Sequence, residues 1–488
     1  MLNRLNYLNI ALMGTALVAL TACQTPTISP RKENSFVPEN FQQTSDSENS
    51  AAMNWRDYFK DGNLIALIDT ALENNQELNI VLQEVEISRN EIQAKTGEYL
   101  PSVSVQGGVG ADKVGRYTRN GALEATTDIK PGKEFPEPLG DYNIGLYATW
   151  EVDVWKKLRN AKKAAVMRYL ATVEGKNFMV THLIAEIANS YYELLTLDAQ
   201  LRILQENIDI QKKALTVVKS QKDSSRVTEL AVKRFEAEVF KTSSIQFELQ
   251  QKIVETENKI NYLVGRFPQP IERSSNAIDH FLPATIHTGI PSQLLSNRPD
   301  IKQAELELAA SKLDIKVAKA RFYPSFGITA GIGFEAFDAS YLTETPESLA
   351  YMLAGDIAAP LINRKAIKAA YKNANAQQIQ AVIQYEQTIL NAYIEVLNQL
   401  TNIKNLESNY DLKSKQVDAL TESISISNNL FQSARADYME VLLTQRDALE
   451  SKFDLTETRL QQMSALINIY KSLGGGWQNT AGTETPAR

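Results

Sequence analysis

The chain repeats one structural pattern, and the two copies lie more than two hundred residues apart. Residues 75–102 and 298–325 each begin with an amphipathic helical segment. Each then has a Pro-Ser pair after an aromatic residue or leucine, followed by a segment in which apolar and polar residues alternate. Each copy continues with a very long heptad-like helical segment, a short polar break and a shorter helical segment. Such an internal repeat predicts one architecture made of two halves rather than several independent domains.

The composition excludes several classes of protein. The 488 residues carry a formal net charge of -7, so the chain has no basic surface for nucleic acid. Cys23 is the only cysteine, which excludes disulfide bonds and cysteine-ligated metal sites. His182, His280 and His287 lie in unrelated segments without a second ligand at metal spacing. Because nucleophile–base pairs and nucleotide motifs are also missing, we predict no enzymatic activity, no metal and no cofactor.

The N-terminus has the layout of a secretory signal peptide. An apolar stretch over 10–20 follows Arg4, and the sequence then reads Leu20-Thr21-Ala22-Cys23. This ending resembles a bacterial lipobox, which implies that the signal peptide 1–22 is removed and that Cys23 is lipidated. The alternative is an ordinary signal peptide with an incidental cysteine. Gln24 replaces the aspartate that retains many lipoproteins at the inner membrane, and this implies delivery to the outer membrane.

Both ends of the mature chain are polar. Residues 23–50 are rich in proline and serine, and we interpret them as a lipidated flexible tether. Residues 478–488 are interpreted as a disordered tail. Neither segment has the apolar periodicity that a packed helix or strand requires.

Four segments alternate between apolar and polar residues with the period of two that strands show: 103–109, 142–152, 326–334 and 349–357. The clearest have about the 9–11 residues with which a tilted strand crosses a membrane, and predicted loops over 111–140 and 338–347 join them. A soluble sheet is the alternative, but no second sheet exists to cover these hairpins. Four strands cannot close a barrel, since the smallest membrane barrels have about eight. Because an open edge is not tolerated in lipid, several chains must contribute strands.

Two predicted helices, 155–222 and 365–434, are far longer than a globular domain uses. At a rise of about 1.5 Å per residue, each would reach roughly 100 Å. The shorter helical segments match these lengths when they are taken in pairs: 76–99 with 227–264, and 298–322 with 438–473. We therefore predict that two short helices stack end to end beside one long helix in each half. Four independent hairpins in a compact bundle are the alternative.

Several motifs occur in a fixed order along the chain. The most specific are Asn297-Arg298-Pro299-Asp300-Ile301, Phe322-Tyr323-Pro324-Ser325 and the ending Ile469 to Trp477, with support from Trp55-Arg56-Asp57-Tyr58-Phe59 and Trp150-Glu151-Val152-Asp153. Together with the lipobox, this set resembles the outer-membrane efflux protein family, the TolC-like channels, in its lipoprotein branch. The resemblance covers nearly the whole mature chain.

The resemblance implies an α+β membrane protein that assembles as a homotrimer. Three chains with four strands each would form a twelve-stranded outer-membrane β-barrel, continuous with a long α-helical periplasmic tunnel. The first structural repeat is then expected at 51–297, with its β-hairpin at 102–153. The second is expected at 298–477, with its β-hairpin at 325–358.

The function implied by the resemblance is the exit duct of a tripartite efflux pump. Such a duct is lipid-anchored in the outer membrane and extends into the periplasm. It passively receives substrates from a periplasmic adaptor (membrane fusion) protein and an inner-membrane pump, here expected to be of the RND type. The alternatives are an exit duct for type I protein secretion and a periplasmic coiled-coil lipoprotein without a pore. The sequence does not identify the exported substrate.

The resemblance also implies a constriction at the turns between the tunnel helices. One turn carries Arg435, Asp437 and Glu440, and the other carries Arg226. Around a threefold axis, Asp437 and Glu440 would form rings of carboxylates, which favour cations and repel one another unless they are bridged. Arg226 and Arg435 are the candidate bridging cations. The alternative is that all four are solvated turn residues, and which carboxylate faces the axis stays open.

Overall fold

The computed structural model describes residues 25–41, 48–274, 287–362, 364–433 and 435–478. The signal peptide 1–22, Cys23, His280 and the tail from residue 479 lie outside these ranges. Two compact units divide the described residues. One contains 86–170 and 306–383 together with the N-terminal segment up to Lys32, and the other contains the rest.

The described helices and strands follow one another in an order that differs little from the sequence prediction. The helices are α1 (Trp55–Tyr58), α2 (Gly62–Asn74), α3 (Gln76–Tyr99), α4 (Arg119–Glu124), α5 (Lys157–Asp223), α6 (Glu229–Val264), α7 (Ser292–Asn297), α8 (Pro299–Ala320), α9 (Lys365–Gln432) and α10 (Tyr438–Ser472). The strands are β1 (Ser102–Asp112), β2 (Asp128–Lys130), β3 (Lys133–Glu134), β4 (Leu139–Glu151), β5 (Ser325–Ala336) and β6 (Leu349–Ala358).

The four long strands form one antiparallel sheet in the order β1-β4-β5-β6, which confirms the prediction of four strands per chain. The register aligns apolar residues across the sheet: Leu146 pairs with Val105 on one side and with Ile332 on the other, and Ile332 pairs with Tyr351. Because successive side chains point to opposite faces, this register collects the apolar residues on one face. That face is largely exposed within the chain.

The connection between β1 and β4 contains more structure than the predicted loop. It holds α4 and the small hairpin β2–β3. The Thr118 hydroxyl accepts a hydrogen bond from the backbone N–H of Gly121 at 3.1 Å and caps α4. Glu137 forms ion pairs with Lys113 at 3.1 Å and with Arg116 at 2.7 Å. These local contacts, which have no periodicity in the sequence, organise the segment.

Two tryptophans hold the corners at which helices meet the sheet. The indole N–H of Trp150 donates to the carbonyl oxygen of Tyr99 at 3.1 Å, and that of Trp155 donates to the carbonyl oxygen of Pro324 at 2.7 Å. Asp153 lies between them and accepts from the backbone N–H of Arg159 at 2.9 Å, so its carboxylate caps the start of α5. Trp150 and Trp155 therefore fix the corners that lead into β1 and β5.

The two long helices have the predicted length. Helix α5 has 67 residues and α9 has 68, and neither contains proline. A long helix is stabilised mainly by packing of its apolar stripe rather than by propensity. Among the helices that the structure describes, none is long and apolar enough to span a bilayer.

The short helices meet end to end in both repeats, as the sequence predicts. In the first, the side-chain amide of Asn75 donates to the carbonyl oxygen of Leu263 at 2.8 Å, at the end of α6, and its oxygen accepts from the N–H of Leu78 in α3. In the second, the guanidinium of Arg298 donates to the carbonyl oxygen of Ser472 at 2.9 Å, where α10 ends and α8 begins. One side chain at each junction pairs backbone groups that a helix end leaves unsatisfied.

The largest apolar core lies in the second unit, where α1 and α2 pack against α5, α6 and α10. Tyr58 stacks on Tyr470 with ring centroids 4.2 Å apart, and its hydroxyl donates to the carbonyl oxygen of Leu466 at 2.7 Å. The Tyr191 hydroxyl donates at 2.9 Å to the carboxylate of Asp61, which is the N-cap residue of α2. The short helices α1 and α2 are thus anchored by buried tyrosines.

The described part of the predicted tether makes specific contacts with α9. In the first unit, the side chain of Gln378 accepts from the N–H of Arg31 and donates to its carbonyl oxygen, at 3.2 and 2.8 Å. In the second unit, the buried ring of Phe41 stacks on Tyr393 with centroids 5.4 Å apart. These side-chain contacts hold Arg31 and Phe41 against α9. Backbone pairing of Asn49 with Thr288 and a 3-10 helix that begins at Ser50 position the end of the segment.

Candidate gate at the helix turns

The turn between α5 and α6 is closed by its own backbone. The N–H of Ser225 donates to the carbonyl oxygen of Lys222 at 2.8 Å, and the N–H of Arg226 donates to that of Gln221 at 2.9 Å. Ser225 has a φ of 59°, the left-handed conformation that ends many helices. The side chain of Arg226 is therefore carried outward, and it is exposed.

A ladder of ion pairs crosses the same turn. Lys222 lies 2.7 Å from Glu229, and Lys219 lies 3.0 Å from Glu236, so that each pair joins α5 to α6. Lys233 also approaches Glu236 at 2.9 Å within α6. The hydrogen bond from Lys222 lowers the pKa of Glu229, and the hydrogen bonds from Lys233 and Lys219 lower that of Glu236. This ladder was not predicted, although the lysines before the turn and the glutamates after it are visible in the sequence.

The turn between α9 and α10 carries the other three candidate residues. The N–H of Arg435 donates to the carbonyl oxygen of Leu430 at 2.8 Å, which closes the end of α9. Asp437 occupies the N-cap position of α10 without capping it through its side chain, and Glu440 lies in the first helical turn. All three side chains are exposed within the chain. The structure thus brings Arg435, Asp437 and Glu440 together at one turn.

Apolar residues beneath the turns hold the two hairpins at the same level. Val218 of α5 and Phe235 of α6 pack in one cluster with Leu442 of α10, and Phe431 of α9 lies against it. Arg226 and Arg435 make no ion pair with any residue that the structure describes, and the same holds for Asp437 and Glu440 within the described ranges. Four charged side chains are consequently available at the tips for contacts outside this chain.

Further from the turns, α5 packs against α10. The side-chain amide of Gln200 donates to the hydroxyl of Thr456 at 3.3 Å, and Ile208 and Leu449 belong to the same apolar core. Closer to the turns, residues of both hairpins line a cavity of 260 Å³, with Val217 and Val441 among them. The two hairpins are therefore in contact along their length, with looser packing near the tips.

No contact within the described chain assigns a role in a gate to the four candidate residues, so that role stays a prediction. A single chain places Asp437 and Glu440 at an exposed tip, which fits both a carboxylate ring and a solvated turn. Cys23, the predicted lipidation site, lies outside the described residues. The Lys222–Glu229 ion pair, by contrast, joins the two helices at the tip of the first hairpin within this chain.

Comparison with known proteins places the chain among outer-membrane transport proteins. Residues 67–266 and 290–475 match the family described as "Outer membrane efflux protein". The "Cation efflux system protein CusC" of Escherichia coli O6:H1 is 26% identical over 467 residues, which span 94% of this chain and 97% of that protein.

A second relative and a solved structure are also similar to most of the chain. The "Probable outer membrane lipoprotein SilC" of Salmonella typhimurium is 25% identical over 446 residues, 90% of this chain and 93% of that protein. The crystal structure of the open state of the Neisseria gonorrhoeae MtrE outer membrane channel matches with a TM-score of 0.81 at 23% identity. It covers 93% of this chain and 99% of that structure, so the fold is shared over almost the full length.

Proposed function

Since the chain belongs to the outer membrane efflux protein family, we propose that it is the outer-membrane exit duct of a tripartite efflux pump. The observation that carries this proposal is the combination of one open four-stranded sheet with two helical hairpins that end in charged turns. The sheet supplies a segment for the outer membrane, and the hairpins supply a periplasmic conduit. The chain itself catalyses no reaction, so a partner pump provides the energy and selects the substrate.

The sheet supports assembly into a homotrimer. Strands β1 and β6 are its two edges, and each leaves one side without a partner strand in this chain. An open edge in lipid leaves backbone groups unsatisfied, so the edges of neighbouring copies must pair. Three copies give twelve strands, which is enough to close a barrel. The exposed apolar face, with Val105 and Tyr351 among its members, would then contact outer-membrane lipid.

The helices supply a second surface for the same trimer. On α6, Phe240, Phe247 and Val254 recur every seven residues, and the two phenylalanines are 72% and 70% exposed. With Ala237, Ser244 and Gln251 between them they complete a heptad seam, the pattern of a coiled-coil contact. No described residue of the chain covers this seam.

A complementary seam lies on α9, where Leu412, Ala419 and Ile426 also recur every seven residues. Phe240 lies 11 residues from the turn end of α6, and Ala419 lies 13 residues from the turn end of α9. The shared apolar cluster holds the two turns level, so in neighbouring copies a large side chain would face a small one. We assign the α6 and α9 seams to the interface between copies.

The turns would form the inner constriction of the tunnel. Three copies of Asp437 and Glu440 placed around an axis would repel one another, and a closed tip would need cations nearby. Arg226 and Arg435, which are exposed at the two turns, are the candidate bridging cations between copies. Docking of a periplasmic adaptor protein and an inner-membrane pump of RND type would then open the constriction.

The organisation of the chain follows from the two repeats. The first repeat is 51–297 and the second is 298–477. In each, one polar side chain joins the end of one helix to the start of another: Asn75 in the first and Arg298 in the second.

Lipidation of Cys23 would anchor the N-terminus in the outer membrane. Mass spectrometry of the mature N-terminus tests this point, since an unmodified terminus elsewhere would contradict it.

Single-channel recording in planar bilayers tests the main proposal. The purified protein should insert as a trimer and conduct, with native mass spectrometry in detergent giving three protomers. A stable monomer, or a trimer that never conducts, would contradict the exit-duct proposal and favour a structural coiled-coil lipoprotein.

A further inference from the structure

Two buried glutamines lie between the hairpins without any visible hydrogen-bond partner. Gln211 of α5 and Gln445 of α10 are each only 1% exposed. Neither the nitrogen nor the oxygen of either amide has a partner among the residues that the structure describes. A buried amide normally has its donors and acceptors paired, so two unpaired amides at one interface require an explanation.

The two glutamines lie at the same level of the α5–α10 interface. The hydrogen bond between Gln200 and Thr456 fixes the antiparallel register of the two helices. Gln211 follows Gln200 by eleven residues, and Gln445 precedes Thr456 by eleven residues. Because eleven residues are about three helical turns, both side chains return to the face that carries the Gln200–Thr456 contact. They form one layer, which we name the amide layer.

The amide layer separates two apolar clusters. On the side away from the turns, Ile208 and Leu449 belong to the main core. On the side towards the turns, Val218 and Leu442 belong to the cluster that joins the tips. Gln445 also lines the 260 Å³ cavity, so packing beside the layer is incomplete. At this level the interface between the hairpins therefore combines unpaired amides with incomplete packing.

We propose that Gln211 and Gln445 set how readily the α9–α10 hairpin moves against the α5–α6 hairpin when the duct opens. Unpaired buried amides destabilise the packed interface relative to apolar side chains of the same shape. The tips can then shift while the core beyond the layer stays packed. This inference rests on the proposed function, and it assigns the two glutamines a positioning role rather than contact with substrate.

The double variant Gln211→Met and Gln445→Met tests the proposal in the full-length trimer. Methionine has the length and shape of glutamine without its polar atoms, so the layer should become apolar without overpacking. We expect a higher apparent unfolding temperature and roughly tenfold fewer opening events in planar bilayers, which is the scale of one unpaired buried group. Unchanged or lower stability, or raised stability with parental opening, would overturn the proposal.

A matched control changes the neighbouring layer. Gln200→Met with Thr456→Val removes a polar pair that is already hydrogen-bonded, so opening should stay close to that of the parent. If this control lost as many opening events as the methionine variant, any apolar replacement at the interface would have the same effect. That result would also overturn the proposal.

A second double variant should change the opening frequency in the opposite direction. Gln211→Glu with Gln445→Glu should open more often than the parent at pH 7, because two carboxylates at one buried level repel each other. Opening should fall back towards the parental frequency as acid neutralises them. Absence of this pH dependence in an assembled trimer would count against the amide layer. Failure of the parent to conduct would instead refute the proposed function, whereas the thermal shift of the methionine variant tests the layer alone.

Discussion

The guanidinium of Arg298 donates a hydrogen bond to the carbonyl oxygen of Ser472 at 2.9 Å and so joins the start of α8 to the end of α10. It also forms a two-pronged contact with Asp300, at 3.0 and 2.7 Å, and an ion pair with Glu395 of α9 at 2.7 Å. Its side chain is 7% exposed. One arginine therefore holds three helices of the second repeat at the junction where the chain changes helix.

Arg298→Ala should destabilise the protein strongly. Removal of the buried guanidinium takes one partner from the partly buried carboxylate of Asp300 and from the buried carbonyl oxygen of Ser472, which costs about 3–5 kcal/mol. Arg298→Lys should recover only part of this, because an ammonium cannot make the two-pronged contact. Denaturant unfolding of the purified protein measures both. Arg56→Ala, which removes an exposed ion pair with Asp69, is the matched control and should cost less than about 1 kcal/mol.

Asn75→Ala should have a smaller effect at the equivalent junction of the first repeat. It removes the cap on Leu78 and the hydrogen bond to the carbonyl oxygen of Leu263. Since the groups are uncharged, we expect a loss of about 1–3 kcal/mol in the free energy of unfolding. The same denaturant titration provides the measurement. If Asn75→Ala lost as much free energy of unfolding as Arg298→Ala, the charge of the side chain at a junction would not determine its contribution to stability.

Much of this fold could be predicted from the sequence because its signals are periodic. Alternation over 326–334 predicts β5, observed at Ser325–Ala336, and the absence of proline over 365–434 predicts α9, observed at Lys365–Gln432. Periodicity is a property of consecutive residues, so it is visible before folding. The end-to-end pairing of the short helices could also be predicted, because the lengths of two short helices add up to about the length of one long helix.

Contacts between distant residues could not be predicted in the same way. Gln211 and Gln445 are 234 positions apart, and only the register of α5 against α10 brings them to one level. The α4 helix in the predicted loop is capped by Thr118, a local contact that no periodicity of the sequence marks. The Lys222–Glu229 pair is local, but lysine and glutamate occur on many solvated helix faces, so composition alone did not distinguish it.

Phe247→Lys should weaken the trimer. Phe247 is 70% exposed in the single chain and lies in the α6 seam that we assign to the interface between copies. A charge buried at such a contact carries a desolvation cost, so the trimer should dissociate at lower detergent or denaturant concentration. Native mass spectrometry measures the fraction of trimer.

Phe267 supplies the control for this substitution. It is 92% exposed but lies outside the helices, beyond the end of α6. Phe267→Lys should leave the trimer intact. Equal dissociation of both variants would remove the support for the α6 seam.

The ion-pair ladder at the α5–α6 turn should resist mild acid. The hydrogen bond from Lys222 lowers the pKa of Glu229. The ion pair therefore stabilises the turn at any pH above the ordinary pKa of glutamate, and this stability is lost only as the pH falls through the lowered pKa of Glu229. Amide hydrogen exchange of residues 219–236, corrected for intrinsic rates, should therefore show equal protection at pH 7 and pH 5. Lys222→Met should reduce protection at both values. A marked loss of protection between pH 7 and pH 5 in the parent would contradict the assignment.

Asp437→Ala and Arg435→Ala should both favour the open duct if these residues close the tip. Surface ion pairs contribute about 0.5 kcal/mol each, and three copies would give about 1.5 kcal/mol, or roughly a tenfold change in the ratio of open to closed states. Arg226→Ala should act in the same direction if it is the bridging cation from the other turn. Glu440→Ala should have a smaller effect, because Glu440 lies three residues after Asp437, within the first turn of α10.

Conductance and antibiotic sensitivity decide between a gate and a solvated turn. Open variants should conduct more in planar bilayers, and cells that carry them should become sensitive to large antibiotics. Lys60, an exposed lysine between α1 and α2, lies far along the chain from both turns, so Lys60→Ala is a control that should behave as the parent. If Asp437→Ala and Arg435→Ala conduct and exclude solutes as the parent does, then the charges at this turn are solvated. The constriction would then depend on other residues of the tips, with the Lys222–Glu229 pair as the next site to test.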